Sequence, residues 1–372
     1  MQSLKIITTK YLIMDFSKIG FGTWQFGSLG KDDYWGVEYT QDMATEYAVE
    51  AVKNGIRYFD TAEGYSDGRS ETQLGIALKQ LTPEERKNVL IGSKIQPDHC
   101  NHVRRYVGDT LKRLQIDCID LMMVHWPISA SAISHFTTTQ KNASGGRDYA
   151  AVDNDVPQNI PTIQNAMKEL AELQKEGKIK HIGLSNFGKT QMEEVLATGV
   201  KISVNQMCFS YLFRASEFEI VPFCKQHDIQ VIAYSPLMQG LCLGHWSKVS
   251  DVPIFRARTR HFNQSNSGSK SRHGETGHEE ILFQTIENVR QISKKHGISM
   301  LDLSVAYPLH KGISCVIVGA TKLSQVEGNA RAGNINLSDE IVKEIDEATE
   351  HLKNAMGSNC DLWQGKNDSR IF

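Results

Sequence analysis

No two of the seven cysteines (Cys100, Cys118, Cys208, Cys224, Cys242, Cys315 and Cys360) form a C-x-x-C pair, and their number is odd. A disulfide framework or a structural zinc site is therefore not expected, and a reducing compartment is. Cys118, Cys208 and Cys315 sit inside apolar runs, where a reduced thiol serves as a small core residue. No run approaches the ~18 apolar residues of a membrane span. The opening Met1-Gln2-Ser3-Leu4-Lys5 lacks the basic segment and long apolar core of a secretion signal. Lysine and arginine form no clusters, and 41 of them against 43 acidic residues leave a formal net charge of −2. No field therefore draws nucleic acid or a membrane surface. Two histidine pairs, His99 with His102 and His273 with His278, have no nearby cysteine and read as surface side chains, so no metal is expected. These absences describe a soluble, cytoplasmic protein with neither nucleic acid nor membrane as a partner.

What the chain does contain is a repeating order. It has 372 residues, 40% hydrophobic and 23% charged, the composition of an ordinary globular protein. Short apolar runs alternate with helix-like segments. Strands are expected at 19–24, 58–60, 89–94, 118–125, 181–186, 202–207, 230–235 and 315–319. The helices that follow them are expected at 42–54, 70–81, 102–114, 162–176, 189–198, 217–227, 279–296 and 324–332. Ser70 reads as the cap of the second helix, which closes before Pro83. Continuous apolar strands alternating with helices mean a parallel sheet with a covered outer face. Eight such units in a row point to a closed α/β barrel, the (β/α)8 or TIM barrel, as a single domain over 1–372. A doubly wound open sheet is the alternative. Helices at 300–310 and 338–352 are additional.

Two stretches interrupt the rhythm. Residues 128–160 and 238–278 are long, and both follow strands. In a barrel both loops lie on the C-terminal face, where active sites are built. Loops of this length act as lids or binding loops or are disordered; the polar run 263–277 reads as disordered. The tail after the last helix carries Leu362 and Trp363. A tryptophan is unfavourable to leave in water, so these two are expected to dock on the barrel near the substrate mouth.

Titratable residues gather at the strand ends. In Arg57-Tyr58-Phe59-Asp60-Thr61-Ala62-Glu63-Gly64-Tyr65, Asp60 closes the second strand and Tyr65 follows on its loop. Lys94 closes the third strand and His125 the fourth. Successive strand ends are neighbours in a barrel, so these four side chains converge on one pocket. Taken singly each is commonplace: aspartate as a loop cap, lysine as surface, histidine as core. Four at three successive strand ends are harder to dismiss. Their chemistry also agrees. A phenol with a pKa of about 10 is a poor acid at neutral pH, and an adjacent cation stabilises its phenolate. Lys94 is placed to be that cation, with Asp60 holding it charged. His125 is placed to hydrogen-bond a substrate oxygen or relay a proton. Such a set moves a proton to or from a carbonyl or alcohol oxygen, and the missing component is a hydride source, a nicotinamide.

Further motifs carry a family resemblance. Gly20-Phe21-Gly22-Thr23-Trp24, Asp60-Thr61-Ala62-Glu63-Gly64-Tyr65, Gly92-Ser93-Lys94 and Val124-His125-Trp126-Pro127 occur in that order. They are followed by Ile182-Gly183-Leu184-Ser185-Asn186-Phe187, Asn205-Gln206 and Ala233-Tyr234-Ser235-Pro236-Leu237, then by Val318-Gly319-Ala320-Thr321 and Gln325 to Asn329. Together these segments, over most of 18–333, resemble the aldo-keto reductase family. The resemblance implies a catalytic tetrad of Asp60, Tyr65, Lys94 and His125, with Tyr65 as proton donor. It implies that Ser185, Asn186 and Gln206 bind the nicotinamide carboxamide, that Tyr234 stacks on the ring, and that Ser235 and Leu237 touch the pyrophosphate. Thr321, Lys322, Gln325 and Asn329 would hold the adenosine end. Gly22, Thr23, Trp24, Asp60 and Gly319 would complete the cofactor wall, and Trp24 and Trp126 would join Tyr65 and His125 around the substrate.

Two positions depart from the pattern. Many NADP-preferring relatives carry an arginine where Gln325 stands and a glutamate where Gly328 stands. Lys322 is then the remaining cation for a 2′-phosphate, and NADP(H) is expected over NAD(H). Other nicotinamide signatures are missing. Gly20-Phe21-Gly22 runs on into Thr23-Trp24-Gln25 without the third glycine of a G-x-G-x-x-G turn, and no Tyr-x-x-x-Lys pairing surrounds Tyr65. The expected activity is interconversion of an aldehyde or ketone with its alcohol, on a small molecule; polar loops beside aromatic walls suit a hydroxylated carbonyl such as a sugar. The alternative is a nicotinamide-binding partner subunit, like the channel β subunits of the same family.

Overall fold

In the computed structural model, which describes residues 13–30, 37–134 and 161–372, eight parallel strands close into a barrel in sequence order. They are β1 (Ile19–Gly22), β2 (Tyr58–Asp60), β3 (Leu90–Ile95), β4 (Ile119–Val124), β5 (Ile179–Ser185), β6 (Val204–Cys208), β7 (Gln230–Tyr234) and β8 (Cys315–Val318). β8 returns to β1, pairing Val316 with Ile19 and Val318 with Phe21. Closure removes the two unpaired edges that the open-sheet alternative would leave. Most of the loop expected over 128–160 lies outside the described residues.

Both faces of each strand are buried, which explains the continuous apolar runs. Phe59, Ile91, Met122, Ile182, Val231 and Val316 point outward into the layer beneath the helices. Tyr58, Leu121, Met123, Val204, Ile232, Cys315 and Ile317 form a separate cluster inside the barrel. Tyr58 fits there because two neighbours lack side chains. A Cβ on Gly92 would lie 2.1 Å from Tyr58 Oη, and one on Gly20 would lie 2.7 Å from Tyr58 Cδ1. The next inward position of each strand follows two residues later. Those positions are Gly22, Asp60, Lys94, His125, Ser185, Gln206, Tyr234 and Gly319. One polar ring thus caps the apolar barrel interior at its C-terminal end.

Helices cover the outside. Two match their expected spans, Glu279–His296 and Met300–His310. Gln41–Lys53, Val103–Leu114, Ile163–Lys175, Lys189–Leu196, Leu323–Ala332 and Asp339–Met356 shift by a few residues at their ends. Thr40, Thr162, Ser299 and Ser338 cap four of them, each side chain accepting from a backbone amide three residues on.

Four expectations need correction. The helix Arg69–Leu78 is capped by Gly68, in left-handed conformation at φ 80°, and not by Ser70. Ser70 Oγ instead donates to Thr23 O at 2.8 Å and meets the Thr61 hydroxyl at 3.0 Å, tying the β1 and β2 loops together. The expected helix 217–227 divides into a short turn at Ala215–Glu217 and a helix at Ile220–Gln226, because a proline ring at position 222 collides with the carbonyl four residues back. A short helix at Pro83–Lys87 was not anticipated; Thr82 and Glu85 form a capping box with Pro83 at the first position, a legible signal. The polar run 263–277 is folded. Gln264 N donates to Glu275 O at 3.1 Å, Arg260 Nε donates to Glu275 Oε1 at 2.9 Å, and Ser267 and His273 are buried.

The tail lies across the barrel mouth. Cys360, Asp361, Leu362, Arg370 and Ile371 are buried, and Gln191 binds Arg370 O and Phe372 N through its amide. Arg260 joins tail to loop, donating to Asn359 O and Met356 O at 2.9 Å each. Among the described residues, no helix is long and apolar enough to cross a membrane.

Candidate active site

Lys94 sits at the centre of the polar ring, fully buried. Its ammonium group donates to Asp60 Oδ2 at 2.7 Å, to Thr61 O at 2.8 Å and to Tyr65 Oη at 3.2 Å. All three ammonium protons are used, so desolvation of the cation is compensated bond by bond. Asp60 is equally engaged. Its Oδ1 accepts from Gln206 Nε2 at 2.7 Å and from Tyr58 Oη at 3.2 Å. Tyr58 is a supporting residue the sequence reading missed, although its place two residues before Asp60 on an alternating strand was a signal for it.

Tyr65 is presented by a tight turn. Its amide donates to Ala62 O at 3.0 Å, and the next three residues, Ser66, Asp67 and Gly68, all have positive φ (48°, 56° and 80°). Left-handed backbone costs an ordinary residue about 1–2 kcal/mol. The turn is held by Arg69, whose Nε donates to Gly27 O at 2.9 Å. Tyr65 meets the edge of the His125 ring at 5.7 Å between centroids, and Trp24 lies 6.4 Å away on its other side. His125 is fixed through its backbone: its amide donates to Ile95 O at 2.8 Å, and Asn186 Nδ2 donates to His125 O at 3.1 Å. Its Nδ1 is buried without a hydrogen bond among the described residues.

The electrostatics refine the expectation for the phenol. Burial pushes the Tyr65 pKa up; the Lys94 charge works against this and Asp60 works with it, and the net direction is upward. Lys94 was expected to lower that pKa outright, but removing a phenolate from water outweighs it in the protein alone. Burial also opposes charge on Lys94, yet Asp60 and Tyr65 together raise its pKa. His125 moves the other way: burial, then the charges of Lys94 and Arg370, hold its pKa well below 6.5. At neutral pH the site therefore contains a protonated phenol, a charged lysine and a neutral imidazole.

These groups open onto a cavity of about 930 Å³. Gly22, Trp24, Asp60, Tyr65, His125, Trp126, Ser185, Asn186, Gln206, Tyr234, Ser235, Leu237, Gly319, Thr321, Gln325 and Asn329 all line it. Lys94 stands behind Asp60 and Tyr65. Two further candidates do not reach the wall. Thr23 is wholly buried, its hydroxyl held 3.0 Å from Asp60 O and 2.9 Å from Ser70 Oγ, so it braces the strands. Lys322 is exposed at the head of the helix Leu323–Ala332, beside Thr321. Gln325 is partly committed to capping, its Oε1 accepting from Thr321 N at 2.7 Å and Lys322 N at 3.1 Å.

Asn186 and Ser235, just past their strands, adopt left-handed φ of 64° and 55°. Asn186 Oδ1 accepts from Tyr234 Oη at 2.7 Å. The Tyr234 ring stacks parallel to Trp363 at 6.2 Å, and Trp363 meets the edge of Trp126 at the same distance. The docking expected of Leu362 and Trp363 is thus present, with Trp363 in the cavity wall. Arg256, Arg258, Lys270, Arg272 and Arg370 also line it; no periodicity or motif marked them. The histidines expected at the surface are partly withdrawn. His99 stacks on Tyr106 at 3.8 Å and pairs with Glu63 Oε1 at 2.8 Å, and His273 is buried.

A model of the Aldo/keto reductase family matches residues 18–350. The chain belongs to that family. The NADH-specific methylglyoxal reductase of Escherichia coli (strain K12) is 29% identical over 358 residues, covering 90% of this chain and 96% of its own length. A probable aldo-keto reductase 1 of Glycine max is 29% identical over 349 residues, covering 90% and 86%. Among solved structures, the glycerol dehydrogenase of Gluconobacter oxydans superposes with a TM-score of 0.66 at 23% identity, over 92% of this chain and 94% of that one. An aldo-keto reductase from Klebsiella pneumoniae in complex with NADPH gives 0.60 at 22%, over 89% and 90%. These two support the barrel.

As an aldo-keto reductase, the chain is an NAD(P)(H)-dependent oxidoreductase of the carbonyl–alcohol couple. Its own residues fit that cofactor. The cavity is near the upper end of the ~300–1,000 Å³ common for ligand sites. Ser185, Asn186 and Gln206 form an amide- and hydroxyl-bearing wall beside Tyr65 and His125. Ser235, Leu237 and Arg256 offer hydroxyl, backbone and cationic groups further along, and Thr321, Gln325 and Asn329 stand at β8.

Proposed function

We propose that Tyr65 is the general acid when this aldo-keto reductase reduces an aldehyde or ketone, and the general base when the alcohol is oxidised. The observation that carries the reading is the 3.2 Å contact of Lys94 Nζ with Tyr65 Oη, made while the same ammonium is held 2.7 Å from buried Asp60. A bound nicotinamide would supply the hydride to the carbonyl carbon. Tyr65 passes its proton to the carbonyl oxygen, and Lys94 stabilises the phenolate that remains. Neutral His125 orients the same oxygen by hydrogen bonding, and Asp60 keeps Lys94 charged and in place. Gln206 binds the carboxamide through Oε1, since its Nε2 is engaged by Asp60. Ser185 and Asn186 complete that contact, Tyr234 supports the ring face, and Trp24 and Trp126 wall the substrate.

The finer part of the reading concerns the cofactor. NADP(H) is favoured over NAD(H), with Lys322 as the cation for the 2′-phosphate at the rim beside Thr321. The Klebsiella pneumoniae relative in complex with NADPH is in keeping with this; the Escherichia coli relative is NADH-specific, so the preference needs its own test. A cytoplasmic setting belongs to the same reading, supported by seven unpaired thiols.

Fluorescence titration with NADPH and NADH, followed by reduced-nicotinamide absorbance over a panel of aldehydes, tests this. NADPH should bind at least about tenfold more tightly, with turnover of one or more aldehydes. Tight binding without turnover across the panel would contradict the assignment of Tyr65. Equal affinities would remove the role of Lys322.

A further inference from the structure

The inward alternation of β3 continues past Lys94. Gln96 keeps an extended backbone, with φ −71° and ψ 150°. Its side chain therefore stays on the inward face, about 7 Å further toward the mouth. Gln96 is 5% exposed and lines the cavity. Its Oε1 is buried without a hydrogen bond among the described residues. A buried amide oxygen without a donor is unfavourable, and this one borders a ligand site.

The main chain of Gln96 is firmly anchored. Its N–H donates to Glu63 Oε1 at 2.7 Å, and that oxygen also pairs with His99 Nδ1 at 2.8 Å. Its carbonyl accepts from His99 N at 3.1 Å and from Cys100 Sγ at 3.3 Å. Pro97, next in the chain, confines it to extended backbone. The side chain lies against the turn that presents Tyr65: a Cβ on Gly64 would stand 2.4 Å from Gln96 Nε2. On the other flank is the end of β4, where His125 N donates to Ile95 O at 2.8 Å. Ser185 and Gln206, proposed above for the nicotinamide, belong to β5 and β6, which do not adjoin β3. Gln96 thus stands on the Tyr65 and His125 side of the cavity, where the carbonyl compound binds.

We propose that Gln96 determines specificity by accepting a hydrogen bond from a substrate hydroxyl one or two carbons from the reacting carbonyl, so that hydroxylated aldehydes and ketones are preferred over their deoxy analogues. A hydroxyl suits the whole amide, since it can donate to Oε1 and accept from Nε2. An alkyl group in its place leaves Oε1 unpaired, and such a mismatch discriminates more strongly than a lost apolar contact. This specificity rests on the reading of Tyr65 as the proton donor. It gives the expected hydroxylated substrate a particular recognising atom.

The test is kcat/KM at saturating reduced cofactor for lactaldehyde and for 3-hydroxypropanal, each against propanal. The readout is the hydroxy-to-deoxy ratio, compared between the native enzyme and Gln96→Met, which keeps the length of the side chain and removes its amide. Differences in aldehyde hydration and carbonyl reactivity cancel in that comparison. The ratio should fall at least about fivefold for one hydroxyaldehyde, and the responding one identifies the carbon that bears the hydroxyl. Gln96→Glu, which keeps an acceptor at the same reach, should retain more of the preference than Gln96→Met. Equal losses on all three aldehydes leave both ratios unchanged and overturn the proposal, assigning Gln96 to bracing the turn. A fall in the ratio matched by an equal loss of NADPH affinity in fluorescence titration also overturns it, assigning the amide to the cofactor. Absence of turnover with every aldehyde while NADPH still binds would sink the Tyr65 reading and this proposal with it.

Discussion

Asp60 Oδ2 and Lys94 Nζ face each other at 2.7 Å inside the barrel, with the lysine side chain fully buried and the aspartate nearly so. Asp60 lines the cavity, and the ammonium behind it also reaches Tyr65 Oη. Removing the cation should therefore act on stability and on rate at once. Lys94→Met leaves a buried carboxylate whose remaining side-chain partners, among the described residues, are Gln206 and Tyr58. We expect a loss of about 3–5 kcal/mol in urea unfolding and a fall in kcat/KM of about 10²–10⁴. A variant as stable as the native protein would contradict the buried pair.

The pH dependence of turnover follows from the directions of two shifts. His125 is held well below 6.5, so it stays neutral through the physiological range and protonates only well into acid. Tyr65 is raised above its ordinary value, so the phenol remains an acid through neutral pH. Reduction should accordingly be flat from about pH 6.5 to 8, whereas oxidation, which needs the phenolate, should rise with pH. Steady-state profiles in both directions check this. A limb near pH 6.5 in reduction, abolished by changing His125, would show that the imidazole titrates and that the site is wetter than described.

Acid stability has a separate origin. His261 is wholly buried, its Nε2 paired with Leu212 O at 2.9 Å and its Nδ1 with Thr259 Oγ1 at 3.1 Å. Burial lowers its pKa to about 4; Arg260, His278 and His273 act in the same direction, and the Leu212 carbonyl opposes. In the unfolded chain the ordinary value of about 6.5 applies. Between these values the unfolded state binds a proton that the folded state does not, so stability falls as pH drops from 6.5 to 4. The contribution is on the order of 3 kcal/mol. Urea unfolding at intervals over this range should show the slope, and His261→Gln should flatten it, whatever its effect at pH 7.

The tail is built into the mouth. Leu362 is wholly buried, Trp363 faces Tyr234 and Trp126, and Asp361 holds Arg370. Leu362→Ala should cost about 2–5 kcal/mol. Truncation after Met356 removes the Trp363 and Arg370 walls together, and KM should rise at least about tenfold. Thermal unfolding and kinetics of the truncated chain decide this; unchanged stability and KM would show that the tail merely rests on the surface.

Much of this architecture was legible because it is local. Strand–helix alternation depends on runs of a few residues, and the ring at the strand ends follows from a period of two. Asp60, Lys94, His125, Ser185, Gln206 and Tyr234 accordingly lie where their motifs suggested. Ser70 looked like a cap because it stands at a helix start, but its hydroxyl is taken by Thr23 and Thr61, a contact between two loops that no local pattern encodes. Residues 263–277 looked disordered because they are polar. They are fastened by Arg260, which also reaches Asn359 and Met356, almost a hundred positions along the chain. Arg258, Arg272 and Arg370 escaped for the same reason: their convergence is a property of the closed barrel mouth, and each alone is an ordinary loop or tail arginine.

Tyr65→Phe tests the central claim most directly, because it deletes one hydroxyl and leaves the ring against Trp24 and His125. Reduced-nicotinamide absorbance with any aldehyde turned over by the native enzyme should show kcat lower by about 10²–10⁴. NADPH affinity by fluorescence should change less than about threefold. Retention of turnover with intact cofactor binding would contradict the account, since among the described residues Tyr65 carries the one hydroxyl that Lys94 contacts.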